Sequence, residues 1–160
     1  MSQHDHLAAM QLVHRWWCNY DEGHLELCAA MLADDCHLSS RTELGNHPHE
    51  AFIRSDNHGR DAAMAWTAQH RAHSPYPLRH NATNVHVVAE RGDELDLESY
   101  LYVTQIVDRR PSALSSGRVL FTLVRTDDGY RIRRKDVVLD SIESAPFIDV
   151  PFVADRSAAW

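Results

Sequence analysis

Hydrophobic residues in the first half of the chain recur every three or four positions, which is the spacing of an amphipathic helix. Residues 5–20 form the first such run. Its apolar positions include Leu7, Met10, Val13, Trp17 and Tyr20. Gly23 separates this run from a shorter one at 25–32, and a third run begins after Gly59 and stops before Pro75. The pattern therefore predicts three helices, the first two of which form a hairpin.

From residue 78 onward, apolar and polar residues alternate, which is the period of a β-strand. Four strands rich in Val, Leu, Tyr and Thr are predicted, at 78–90, 95–107, 118–125 and 130–140. Gly92 and Gly129 stand in short turns within the first and second pair of strands. Because short turns join antiparallel strands, an antiparallel meander is expected.

Three other kinds of segment give weaker signals. Residues 36–40 could form a short strand, and 148–153 could add a final one. Residues 41–57 contain glycine, proline and histidines without a clear period, so we expect mainly a loop, whose mobility would suit a lid. Residues 111–117 are expected to link two strands.

Helices followed by long antiparallel strands define the fold class as α+β. We expect residues 1–160 to form a single domain in which three N-terminal helices pack into a strongly curved antiparallel sheet of four to six strands. This is a cone-shaped, cystatin-like roll. A strongly twisted sheet around a helix leaves a pocket at its open end, and this pocket is the expected seat of function.

Composition and charge exclude several classes of function. The formal charge of -7 over 160 residues provides no phosphate-neutralising face, so nucleic acid is not an expected partner. The basic stretch at 131–135 alternates with apolar residues and is interpreted as a solvated strand face. No apolar run is long enough for a signal peptide or a membrane span. The 3 cysteines lack C-x-x-C spacing and are expected to be reduced thiols of a cytoplasmic protein.

Several short motifs follow one another along the chain. They are Tyr20-Asp21-Glu22-Gly23, Leu32-Ala33-Asp34-Asp35, Gly59-Arg60-Asp61, Leu78-Arg79-His80-Asn81-Ala82-Thr83-Asn84-Val85 and Asp128-Gly129-Tyr130-Arg131-Ile132. In order and spacing they resemble the nuclear transport factor 2-like superfamily, in the SnoaL-like branch that holds polyketide cyclases, scytalone dehydratase and the small subunits of aromatic-ring-hydroxylating dioxygenases. The resemblance covers residues 5–140 and implies the cone-shaped fold, a small-molecule substrate and a homo-oligomer, either a dimer or a trimer.

Two parts of the chain resemble different members of this branch. Ser116-Gly117-Arg118, together with residues 126–130, is similar to the SnoaL-like enzymes and dehydratases. Residues 134–140 and 148–153 are similar to the closing strands of dioxygenase small (beta) subunits. This second resemblance implies a non-catalytic subunit that assembles with an iron-containing large subunit, through an apolar patch expected at 147–153.

Asp21 and His80 are the main catalytic candidates. In the dehydratases that the chain resembles, an aspartate at the end of the first helix faces a histidine on the first long strand. A carboxylate beside an imidazole fixes its tautomer, which produces a base able to take a proton near neutral pH. Tyr20 could donate its phenol to a substrate carbonyl. The alternative is structural, with Asp21 capping a turn and His80 bonded in a polar core.

Strand alternation adds two candidates for substrate binding. Side chains at even spacing from His80 share its face, so Asn84 and His86 are predicted to point into the pocket, whereas Asn81 points away. Three polar groups would then form a row on one strand. A wholly apolar core face would not have this pattern.

Four further binding candidates come from the resemblance and from aromatic content. His37 and Leu38 stand in the region where scytalone dehydratase has a tyrosine, and Gln105 or Ile106 where it has its second catalytic histidine, so the resemblance does not imply the same dehydration. His37 could nevertheless supply an acid or a base. Trp17 and Trp66 could line an aromatic pocket, although large aromatic side chains usually fill a core.

The 12 histidines of the sequence raise the question of a metal. The nearest clusters, His47-Pro48-His49 and His4-Asp5-His6, lack the spacing of a specific site. A glycine-rich phosphate loop is also missing, so we expect neither metal nor cofactor. The resulting hypothesis is a cofactor-independent enzyme that performs dehydration, isomerisation or cyclisation by proton transfer on a cyclic or aromatic carbonyl-bearing molecule. The dioxygenase subunit is the alternative.

Overall fold

The chain begins with a long amphipathic helix. In the computed structural model, which describes residues 3–146 and 149, helix α1 covers Gln3–Asp21. Its buried side chains lie along one face and include Ala9, Leu12, Val13, Trp16 and Trp17. The other helices within the described residues are α2 (Leu25–Ala30), α3 (Glu50–Ile53) and α4 (Arg60–His73). The three predicted helices correspond to α1, α2 and α4, and α3 is an additional single turn.

Six strands form one sheet within the described residues. They are β1 (Leu32–Thr42), β2 (Ser55–His58), β3 (Leu78–Arg91), β4 (Glu94–Val107), β5 (Arg110–Thr126) and β6 (Gly129–Leu139). Their order is β2-β1-β6-β5-β4-β3. Neighbouring strands are antiparallel except β1 and β6, which run parallel. The predicted α+β class with its cystatin-like fold is confirmed, but the sheet is mixed and not wholly antiparallel.

Strand β1 is longer than the short strand predicted at 36–40, and it includes the end of the predicted second helix. Its residues Leu38, Ser40 and Thr42 are buried at alternate positions. The predicted loop at 41–57 is also partly wrong, because it contains α3 and most of β2. Small polar residues that are buried at alternate positions escape a search for apolar periodicity, which explains why the length of β1 was underestimated. The short elements α3 and β2 contain no buried residue and give no apolar period.

The link predicted at 111–117 is wrong as well, because β5 continues through it to a tight turn at Asp108 and Arg109. The φ angles of these residues are 50° and 62°. Positive φ at both central residues is the requirement of a type I′ hairpin turn. The two residues of this turn are not the Asn-Gly or Asp-Gly pair that usually marks a turn of this type. The final strand predicted at 148–153 lies outside the described residues, apart from Asp149.

The helices pack on one face of the sheet, and the core lies between them. Helix α1 contacts β3 and β6, and α4 contacts β1 and β2. Trp16, Leu97 and Phe121 are fully buried at this interface. Within the described part of the chain, no helix is both long enough and apolar enough to cross a bilayer.

A side chain at Gly117 would collide with β6, because an added Cβ would overlap the carbonyl oxygen of Val138. We expect Gly117→Ala to lower the free energy of unfolding by about 1–3 kcal/mol, measured by urea denaturation. Ala113→Ser, at an exposed position of the same strand, is the matched control and should change it by less than about 0.5 kcal/mol. A Gly117→Ala protein as stable as this control would contradict the close packing of β5 on β6.

Candidate active site

The sheet and helices α1 and α4 enclose a cavity of about 350 Å³. Most of its wall is aromatic or aliphatic, with contributions from Trp17, Phe52, Trp66, Leu101 and Val103. Its polar wall residues include Tyr20, His70, His80 and Lys135. The cavity therefore combines an apolar wall with a few convergent polar groups, as small-molecule sites do.

Asp21 and His80 form a buried pair at the edge of this cavity. Asp21 is the last residue of α1, and His80 lies near the start of β3. The Asp21 Oδ2 atom accepts the backbone N–H of His80 at 2.8 Å, and Oδ1 lies 2.5 Å from His80 Nδ1. Because an ionised carboxylate only accepts hydrogen bonds, Nδ1 carries a proton and Nε2 keeps the lone pair of the neutral ring. The pairing expected from the sequence is present, while its catalytic role stays a prediction.

Arg71 holds the end of α1 in place from α4. Its guanidinium donates to the backbone carbonyl oxygens of Tyr20 at 3.1 Å and of Asp21 at 2.7 Å. The last carbonyl groups of a helix have no partner inside the helix, so an external donor is needed where they are not in water. Arg71 supplies that donor and thereby fixes the position of the Asp21 carboxylate against β3.

Aromatic rings fix the plane of the His80 imidazole. The ring of Trp17 is stacked on it, with centroids 4.7 Å apart and planes inclined by 9°. The ring of Tyr20 meets it edge-on at 5.2 Å. Packing on two sides and the bond to Asp21 on a third leave the imidazole little freedom to rotate, which is the pre-organisation that a catalytic base requires.

Tyr20 and His70 form a second polar pair at the cavity wall. The Tyr20 hydroxyl lies 2.5 Å from His70 Nδ1. Burial raises the pKa of Tyr20 to about 12, and burial together with the nearby Lys135 charge lowers the pKa of His70 to about 4. Both side chains are therefore neutral near pH 7, and one hydrogen bond joins the Tyr20 hydroxyl to His70 Nδ1. The sequence gave no sign of this bond, which joins residues fifty positions apart.

Lys135 also lines the cavity, which contradicts the interpretation of 131–135 as a solvated strand face. The side chain is 6% exposed, and its Nζ lies 4.5 Å from the ring centroid of Trp16 and 5.1 Å from that of Trp17. The cause is a β-bulge: β6 has one residue more than β5 between Ile132 and Arg134. The extra residue reverses the alternation and turns Lys135 inward.

Asn84 and His86 lie outside the cavity, so their predicted face is wrong. Both side chains are exposed. Strand β3 has an extra residue relative to β4 between Thr83 and His86, and Asn84 has a φ of 55°. Beyond this bulge the alternate positions beginning at Val85 face the core.

His37 and Gln105 are not part of the cavity wall either. His37 faces away from it, because Leu38 on the same strand points inward. Its Nε2 lies 2.6 Å from Asp56 Oδ1, and its ring is stacked on His58 at 4.1 Å. Gln105 is half-buried and pairs in register with β3. In the two regions compared with scytalone dehydratase, Leu38 lines the cavity, but no acid or base does.

Three side chains on the outer face of β1 and β2 have the donor set of a transition-metal site. The donor atoms of His37, Asp56 and His58 lie within 4.8 Å of one another. Two imidazoles and a carboxylate are ligands that zinc and similar ions accept. Among the described residues this is the one such group, and none of its three members lines the cavity.

The family of the chain follows from comparison of its sequence with known domains. Residues 2–136 match the SnoaL-like domain. The chain therefore belongs to the SnoaL-like family of the nuclear transport factor 2-like superfamily, as its motifs indicated. No protein of curated function matches the sequence.

Solved structures with the same fold belong to proteins of different kinds. A nuclear transport factor 2-like protein from Novosphingobium aromaticivorans has a TM-score of 0.71 and 19% identity, over 96% of this chain and 88% of that one. The beta subunit of a candidate aromatic-ring-hydroxylating dioxygenase from the same organism has 0.71 and 13%, over 91% and 95%. A candidate scytalone dehydratase, again from this organism, has 0.65 and 18%, over 89% and 92%. At these identities the similarity establishes the fold and not the function.

The burial of Lys135 generates a prediction about stability and pH. Burial lowers the pKa of Lys135 from its ordinary 10.5 to about 8. Between those values the unfolded chain binds more protons than the folded one, so this group makes stability rise with pH. Lys135→Met should therefore stabilise the protein at pH 7 by about 1–3 kcal/mol relative to wild type, and this advantage should shrink at pH 10.

Urea denaturation of both proteins at pH 7 and pH 10 measures the effect. Comparing wild type with the variant cancels the titration of groups that do not interact with Lys135. The Cys28 thiol, whose pKa burial raises to about 11, and the His70 imidazole do interact with its charge, so they contribute to the measured difference. Arg110→Met removes an exposed positive charge and serves as the control. If the Lys135→Met difference were the same at both pH values, the lysine would not be carrying a destabilising buried charge.

Proposed function

We propose that this chain is an enzyme that transfers a proton on a cyclic or aromatic, carbonyl-bearing small molecule inside the cavity. The observation that carries the proposal is the His80 imidazole, held by the Asp21 carboxylate at a cavity wall. A cavity of about 350 Å³ lies within the usual range for small-molecule sites. Flat aromatic walls such as Trp66 suit a flat substrate ring.

His80 Nε2 is the proposed base, because Nδ1 is committed to Asp21. It would take a proton from the carbon beside the substrate carbonyl, and Asp21 would stabilise the imidazolium that forms. The Tyr20 hydroxyl would donate a hydrogen bond to the carbonyl oxygen as negative charge develops on it, while the Tyr20 oxygen accepts the Nδ1–H of His70. Return of the proton at another position gives isomerisation, and loss of a hydroxyl group gives dehydration. None of these steps requires a cofactor.

Exposed side chains and free thiols support two further proposals, on the assembly of the enzyme and on its location in the cell. Large apolar side chains on β4 are exposed, among them Tyr100 at 54% and Tyr102 at 46%. We propose that this outer surface packs against another copy of the chain in a dimer or trimer. The three cysteines are free thiols, which supports a reducing, cytoplasmic location.

Exchange of substrate protons with solvent tests the proposal without knowledge of the natural substrate. The wild type is incubated in deuterium oxide with cyclohexanone, tetralone and acetophenone, and deuterium uptake beside the carbonyl is followed by NMR. We expect catalysed exchange in at least one ketone, and His80→Gln should slow it by at least about 100-fold because the base is lost.

Two further variants make this result specific. Asp21→Asn should cause an intermediate loss, because an NH2 donor replaces one of the two carboxylate oxygens that accept the backbone N–H and the ring N–H of His80. His24→Gln removes an imidazole outside the cavity wall and should leave exchange unchanged. Full exchange activity in His80→Gln would show that the proposed base is wrong.

A second candidate function is the non-catalytic beta subunit of an aromatic-ring-hydroxylating dioxygenase. It is supported by the fold shared with such a subunit at a TM-score of 0.71 and by the exposed apolar side chains of β4. In this case β4 would face an iron-containing large subunit. The tail at 147–153, the contact expected from the sequence, is outside the described residues except for Asp149.

Purification from the source organism separates the two candidates. The tagged chain is isolated under mild conditions, and its subunits, iron content and visible spectrum are recorded together. For the proposed enzyme we expect a colourless homo-oligomer. A coloured complex with a larger iron-bearing chain would instead establish the subunit function and make the Asp21 and His80 pair structural.

A further inference from the structure

Lys135 is the only lysine in the sequence, and every other member of the 16 Lys and Arg residues is an arginine. In the ion pairs among the described residues, the cations are arginine or histidine. A guanidinium is therefore used wherever a fixed positive charge faces a carboxylate. Lysine differs from arginine in one chemical property that matters here, because its amine can lose a proton and become a nucleophile.

The single amine is buried and has no carboxylate partner. Lys135 is 6% exposed at the cavity wall, and its Nζ is flanked by the rings of Trp16 and Trp17, whose faces attract a cation. Among the described residues no hydrogen-bond acceptor and no carboxylate contacts Nζ. A buried amine without a counter-charge loses its proton more easily, and burial lowers the pKa of Lys135 to about 8. The titratable groups near it are the thiols of Cys28 and Cys36 and the imidazole of His70.

We propose that Lys135 is a covalent catalytic residue whose ε-amine condenses with an aldehyde or ketone carbonyl of the substrate to form an imine. This inference rests on the proposed function, because it takes the substrate to be a carbonyl compound in this cavity. It narrows the substrate class to aldehydes and unhindered ketones and excludes esters and amides, which do not form stable imines.

The chemistry balances without an oxidant or a further reactant. The Nζ lone pair attacks the carbonyl carbon and forms a C–N bond, while the π electrons of the C=O bond move to oxygen. One amine proton transfers to that oxygen. The C–O bond then breaks, and the oxygen leaves as water with the second amine proton, so that C=N replaces C=O. Once protonated, the imine draws electrons from the adjacent C–H bond, and this acidifies the proton that His80 would remove.

Acetylacetone tests the inference directly, because a 1,3-diketone and a neutral amine form a stable enaminone that absorbs in the near ultraviolet. The full-length protein is incubated with it at pH 7.5, and intact mass and peptide mass spectrometry locate the adduct. A chain with one lysine offers one ε-amine, and the N-terminal amine is the only other site. We expect one enaminone at Lys135, slowed by cyclic ketones that compete for the cavity.

Three variants define the outcome. Lys135→Met should lose the ε-adduct and retain any N-terminal one, and Lys135→Gln repeats the test should the first variant not fold. The double variant Lys135→Met with Arg110→Lys moves the single amine to an exposed position, where an ordinary pKa keeps it protonated. Labelling there should be at least about tenfold slower than at Lys135. Absence of an adduct at Lys135, or a rate no higher than at position 110, would overturn the inference.

The variant His80→Gln separates this inference from the proposed function. If Lys135 is labelled while His80→Gln keeps full deuterium exchange, the proton-transfer function fails and the reactive lysine stands. If Lys135 is not labelled while His80→Gln abolishes exchange, the reactive lysine fails and the proton-transfer function stands.

Discussion

The structure depends on one buried carboxylate that joins a helix to a sheet. Asp21 ends α1 and accepts both the backbone N–H and the imidazole of His80 on β3. A buried charge is tolerated only where its hydrogen bonds are satisfied, and here both oxygens have donors. Arg71 satisfies the helix carbonyls beside it from α4. The same contacts hold α1, β3 and α4 together and set one edge of the cavity, so fold and candidate site share a single connection.

Local patterns in the sequence were sufficient for much of this fold. Helix periodicity located α1 and α4, alternation located the long strands, and the motif containing Asp21 and the strand containing His80 indicated that these two residues would meet. Each of these features depends on residues close in sequence or on the resemblance to a family. The parallel pairing of β1 with β6 depends on neither. It joins residues about a hundred positions apart, and no turn between the two strands signals it.

The candidate site was predicted less well, and two bulges account for most of the difference. Alternation is a reliable guide only while each strand matches its neighbour residue for residue. One extra residue in β3 turns Asn84 and His86 to the outer face, and one in β6 turns Lys135 to the inner face. A bulge is defined by the register between two strands, so a single strand's sequence does not contain it. The polar pair of Tyr20 and His70 was missed for a similar reason, because it joins side chains fifty residues apart.

The bulge in β6 has a consequence for how such a cavity can change over evolutionary time. Without the bulge, regular alternation from Ile132 would place Arg134 and Asp136 on the inner face and Lys135 on the outer face. The bulge therefore decides whether the interior receives an amine or a carboxylate, without any substitution at either position. The register of β6 against β5 thus determines the chemistry of the cavity wall. Among relatives of this fold, a single-residue insertion or deletion in a strand can therefore change the cavity wall as a substitution does.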